Sequence, residues 1–154
     1  MKTLIFLISI MAFVVCQAQT TYSEEILKQK SEEIISFSDK STSKLSNERV
    51  LVKDILDKLI ITPIEYSATP DSNEYEQSGW VKYIVLKFYK RTEFRYKMDN
   101  KIKLYNIYIY LKEPIHESKT FTFVKKTKGK WSKEVADFFA NIEVKNVKIY
   151  DLER

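Results

Sequence analysis

The sequence predicts an α+β fold, with an N-terminal helix pair packed on one face of a mostly antiparallel sheet of about 4–6 strands and a short C-terminal helix. Three observations predict it. Apolar residues recur at helical spacing between Ser23 and Pro63, they alternate with period two from Trp80 onward, and a last helical pattern follows Ser132. The chain has 154 residues, the length of one domain, and its 44% hydrophobic content is too high for a disordered segment.

Residues 1–18 read as a secretory signal peptide, and residues 19–154 as a single α+β domain. Lys2 supplies the positive start, and Leu4 to Val15 form an apolar run of 12 residues broken only by Ser9. A membrane span needs about 20 apolar residues, whereas a secretory apolar region needs about 7–15 and then small residues at the cleavage site. Cys16-Gln17-Ala18 provides them, with cleavage before Gln19. Val14-Val15 ahead of Cys16 suits a lipid anchor badly, so the cysteine is expected to leave with the signal. The mature chain then has no thiol, no disulfide and no transmembrane segment, and is expected in the periplasm or outside the cell. Abundant Lys, Ile, Asn and Tyr with scarce Gly point to a bacterium with a low-GC genome.

Ser23 is a suitable N-cap, and Glu24 and Glu25 suit the positive end of a helix dipole. Ile26, Leu27, Ile34 and Ile35 form its apolar spacing, and Ser36 to Ser46 read as a helix end and loop. Ser46 or Asn47 caps a second helix with the stripe Leu51, Val52, Ile55, Leu56 and Leu59, stopped by Pro63. Ile64 to Ser67 suit a short strand, and residues 67–79 a long polar loop.

From Trp80 the parity puts Ile84, Leu86, Phe88, Phe94, Tyr96 and Met98 on one face and Arg91, Glu93, Arg95 and Lys97 on the other. Asp99-Asn100 then reads as a two-residue hairpin turn, with pairing indices summing to 199, so that Phe94 faces Tyr105. Tyr105, Ile107, Ile109 and Leu111 join the core, and Pro114 ends the strand. Lys119 to Lys126 alternate around Phe121 and Phe123 as a strand, and Lys128-Gly129 turns the chain. Ser132 caps a short helix with Val135, Phe138, Phe139 and Ile142 inward. Val144, Val147 and Ile149 suggest a final strand.

Charge is segregated. Residues 19–78 carry 7 Lys+Arg against 12 Asp+Glu, and residues 79–154 carry 18 against 9. Two features suit an anionic partner. The expected hairpin gathers Tyr89, Arg91, Arg95, Lys97, Tyr108 and Tyr110 on the face away from the core, where aromatic and cationic groups can clamp an anionic or sugar-like ligand. The turn holding Lys125, Lys126, Lys128, Lys130 and Trp131 sets four lysines beside an indole.

Catalytic patterns are sparse. His116 is the only histidine, and it sits in Glu113-Pro114-Ile115-His116-Glu117, read as a loop between strands. Asp71 to Glu76 begins like a calcium loop, but Glu76 stands where the turn glycine belongs and Lys82 where the closing acid belongs. With one His and one Cys no ordinary zinc cluster forms, and with two Gly no phosphate-cradling loop. The sequence therefore assigns no catalytic residue, no metal and no cofactor, and sets no oligomeric state. The function expected is that of an exported, non-catalytic binding protein, as an inhibitor or immunity-type partner would be. Its partner is an acidic protein or an anionic envelope ligand rather than nucleic acid. The alternatives are a small-ligand carrier with a pocket under Tyr105, Phe88 and the second helix, and a small hydrolase using His116.

Overall fold

The computed structural model describes residues 22–41, 49–70 and 79–150. The expected signal peptide, Cys16, the expected caps Ser46 and Asn47, and the acidic run Asp71 to Glu76 lie outside the described residues. Helix α1 spans Glu24–Ser41 and α2 Val52–Leu59; strand β1 spans Glu65–Ser67 and β2 Trp80–Lys87. Then come α3 (Arg91–Asp99), β3 (Asn106–His116), α4 (Glu117–Thr127), α5 (Lys133–Phe139) and β4 (Val144–Tyr150). The strands form one antiparallel sheet in the order β1-β2-β3-β4, a meander. The α+β class is as the sequence predicts.

Ser23 does cap α1, its Oγ accepting from Ile26 N–H at 3.4 Å. The helix buries Leu27, Ser31, Ile34, Ser38 and Ser41. That stripe runs on through the serines, so the helix reaches Ser41 rather than ending near Ser36. Small side chains let α1 lie close to β4 and α2. Ile26, expected in the stripe, is instead 43% exposed. The Ser31 hydroxyl is buried with no hydrogen-bond partner among the described residues, which carries a desolvation cost. Ser31→Ala is therefore expected to raise stability by about 0.5–1.5 kcal/mol, read as a higher urea midpoint at unchanged slope. A lower midpoint would mean that the hydroxyl has a donor or acceptor after all.

Helix α2 has Leu51 as its N-cap, and Asp54 Oδ2 accepts from Leu51 N–H at 2.8 Å. It ends at Leu59, ahead of Pro63, with Ile60 in the left-handed region at φ 63°. Val52, Ile55 and Leu59 pack under the sheet with Ile84, Leu86, Phe88, Ile107, Ile109 and Val147. The core parity of β2 and β3 is therefore as read from the sequence.

The expected hairpin at Asp99-Asn100 does not form. Strands β2 and β3 pair with indices summing to 193, as in Ile84↔Ile109 and Leu86↔Ile107, and α3 occupies the connection. Phe94 and Met98 are four apart, so they satisfy both a period of two and a helical one. Tyr96 separates the two readings, because it is 61% exposed whereas Phe94 and Met98 are half-buried against the core. Nothing in Arg91–Asp99 breaks a helix, and Asn100 stops it with its backbone N–H on Tyr96 O. The turn signal was a helix terminus.

The same competition decides Glu117–Thr127. Thr120, Phe123, Val124 and Thr127 line the inner side of α4, while Phe121 is 63% exposed, which is helical spacing and not alternation. Strand β3 also runs through Pro114 to His116. A register shift between Val81 and Tyr83 takes the pairing from Tyr83↔Tyr110 to Val81↔Ile115. Pro114 falls within that irregularity, where its missing N–H costs no ladder bond.

Candidate functional site

The residues expected on one basic, tyrosine-rich sheet face are distributed over three places. Tyr89 is 3% exposed and belongs to the core, its hydroxyl accepting from Tyr105 N–H at 3.0 Å. Burial pushes its phenol up to about 12, against the partial relief of that hydrogen bond. Lys97 is also buried, ion-paired to Glu24 of α1 with its ammonium 5.1 Å from the centre of the Tyr89 ring. Arg91 and Arg95 are exposed on α3. Tyr108 and Tyr110 do lie on the sheet face away from the core, where Tyr83 joins them. The physical reason for the dispersal is α3, which rotates successive residues by about 100° instead of 180°.

The lysine-rich turn keeps its place but joins two helices rather than a strand and a helix. Lys128 takes the left-handed conformation at φ 53°, and Gly129 N–H closes the end of α4 on Val124 O at 3.3 Å. Residues 129–131 then run along the outer edge of β1, with Tyr66 N–H donating to Gly129 O (2.8 Å) and Trp131 N–H to Ile64 O (3.1 Å). A Cβ at Gly129 would lie 3.2 Å from Tyr66 O, at a positive φ of 70°, so this close approach requires glycine. Trp131 is half-buried with its ring edge-on to Tyr66 at 6.1 Å. It anchors the turn against β1.

The turn's lysines remain outside. Lys126 pairs with Glu134 at 2.6 Å, and Lys133 with Asp137 at 2.7 Å. Lys119, Lys125, Lys128 and Lys130 are exposed and form no ion pair among the described residues. On α4, with Lys128 following at the C-cap, Phe121 and Lys125 take the spacing i, i+4 on one stripe of the helix surface. Beside it lies a groove of about 160 Å³ whose walls include Ala68, Pro70, Phe121 and Val124, with Lys125 and Glu117 at its sides. Sequence reasoning missed Phe121 and this groove because it placed the segment on a strand. The signal that could have found them was the spacing of Thr120, Val124 and Thr127.

His116 is at the end of β3, not in a loop, and is the N-cap of α4. Its Nδ1 accepts from Ser118 N–H at 3.3 Å, and Ser118 Oγ lies 2.9 Å away. The Trp80 ring meets the imidazole edge-on at 5.2 Å. These contacts give the ring a structural task, holding the strand-to-helix junction. Phe88 and Tyr105, the expected walls of a carrier pocket, pack with the core, Phe88 fully buried.

A wider cleft of about 400 Å³ lies where α1 meets α2, lined by Phe37, Arg49, Asp57 and Lys58 among others. Arg49 is held at 2.8 Å by Glu143, which also pairs with Lys112, and these hydrogen bonds hold the Glu143 carboxyl below the usual range. Among the described residues no three His, Cys, Asp or Glu side chains gather as a metal site, and no helix is long and apolar enough to cross a membrane.

Fold and surfaces together define an α+β protein built on a four-stranded antiparallel meander, with a basic helix-and-turn surface beside its first strand. No known protein family, no curated protein and no solved structure matches the chain.

Proposed function

We propose that this chain is an exported, non-catalytic binding protein that captures an acidic protein through the outer surface of α4 and the turn after it. The observation that carries the reading is Phe121, 63% exposed over an apolar groove and flanked by lysines that no carboxylate neutralises among the described residues. An exposed aromatic at the rim of a groove supplies an anchor, and the surrounding cations steer and orient an acidic partner. Export rests on the apolar run and small-residue site at residues 4–18. His116 and Ser118, engaged in capping α4, favour binding over catalysis.

The test is capture from an envelope extract of the source cell by immobilised protein. Wild type is expected to retain an acidic protein that Phe121→Ser and the triple change Lys125→Glu, Lys128→Glu, Lys130→Glu each lose by about tenfold or more. Arg91→Glu with Arg95→Glu should retain it. The same retained proteins in all four, or retention of anionic lipid vesicles alone, would overturn the reading.

A further inference from the structure

The face of the sheet turned away from the core carries a second, separate arrangement. Tyr108 lies between Val85 of β2 and Lys148 of β4, and Tyr110 between Tyr83 and Asn146. The Tyr83 ring lies 5.6 Å from Tyr108 and 5.4 Å from Tyr110, tilted to both, and the Lys148 ammonium stands 5.5 Å from the centre of the Tyr110 ring. Asn106 has the same strand parity as Tyr108 and is only 7% exposed. Its Oδ1 and that of Asn146 are buried with no hydrogen-bond partner among the described residues.

Buried carbonyl oxygens are normally satisfied, and each one left bare carries a desolvation penalty. Two on one face, at opposite ends of a tyrosine patch, call for donors that the described residues do not supply. Asn106 lies opposite Tyr150 and Asn146 opposite Tyr110, which separates the two by about four residues, or roughly 13 Å along the strands, room for about two or three linked sugar rings.

We propose that this face binds an acidic oligosaccharide. Sugar C–H faces lie on the tyrosine rings, hydroxyls donate to the Asn106 and Asn146 oxygens, and a uronic carboxylate pairs with Lys148. The ligand reaches the amide oxygens by displacing the side chains above them. Tyrosine faces suit such a ligand, since they combine a broad apolar ring with a polar tip.

The probe is tri-galacturonate, with maltotriose as its neutral counterpart, titrated into the purified protein by calorimetry and saturation-transfer NMR. Tri-galacturonate is expected to bind with Kd of roughly 0.1–1 mM, with transfer from tyrosine protons. Lys148→Ala should weaken it by about fivefold or more. Asn106→Leu should raise the urea midpoint, by removing the bare acceptor, and weaken binding by about tenfold or more. The triple lysine reversal on α4 and the turn after it should leave binding unchanged. The proposal is overturned if neither sugar binds, if maltotriose binds as well, or if the α4 reversal abolishes binding. It is equally overturned if Asn106→Leu stabilises the fold while binding stays the same.

Discussion

Glu24→Gln is expected to lower stability by about 2–3 kcal/mol, although Glu24 is itself half-exposed at the surface of α1. The cause lies in its partner. Lys97 is drawn under the protein by α3, its side chain 8% exposed, and Glu24 supplies its ion pair. Removing the carboxylate leaves a buried ammonium facing the Tyr89 ring, 5.1 Å from its centre. A ring quadrupole offsets only about 1–2 kcal/mol of that charge's lost hydration. Lys97→Met removes the charge with its demand and keeps most of the packing, so it should cost no more than about 1.5 kcal/mol. The double variant should therefore be more stable than Glu24→Gln alone, a coupling that a double-mutant cycle in urea measures. Additive losses would show that the pair does not hold α1 to α3.

Tyr89 governs the second large effect, at alkaline pH. Its phenol is buried and pushed up to about 12 in the folded chain, against about 10 for an unfolded tyrosine. A raised folded pKa means that the folded state retains the proton after the unfolded state has lost it. Stability from this group is complete below pH 10 and falls as pH rises from 10 towards 12. The loss amounts to about 2–3 kcal/mol if Tyr89 acts alone. Tyr89→Phe should flatten that limb, at a roughly constant cost of about 1–2 kcal/mol from leaving Tyr105 N–H without its acceptor. Urea titrations at pH 8, 10 and 11 decide the matter. Parallel curves for the two proteins would show that other groups set the alkaline limit.

Both effects pass through residues that the sequence assigns to an open surface. Alternation of Phe94, Tyr96 and Met98 with Arg91, Arg95 and Lys97 is a real pattern, but Phe94 and Met98 serve a helix equally well. Only Tyr96 separates the two readings, and one exposed aromatic carries little weight in a window of nine residues. Phe121 and Phe123 pose the same problem, and the strand reading there hid the groove. Tyr108 and Tyr110 were placed on the correct face because Ile107, Ile109 and Leu111 alternate with them without a competing helical spacing. The partners of that face, Tyr83, Asn146 and Lys148, come from strands whose register no local pattern sets.

The sequence by itself determined the α+β class, the core parity of β2 and β3, the caps at Ser23 and at Ser132, whose Oγ accepts from Val135 N–H at 3.3 Å, and the exposure of the turn lysines. These follow from short-range periodicity and from hydrogen bonds made within a turn of chain. Tertiary structure decided that Arg91–Asp99 and Glu117–Thr127 are helices, that Lys97 and Tyr89 lie inside, and that Trp131 anchors the edge of β1. Each of those outcomes depends on which remote surface is available to cover an apolar side chain. Burial against a partner far along the chain outweighs local preferences that differ by less than about 1 kcal/mol per residue.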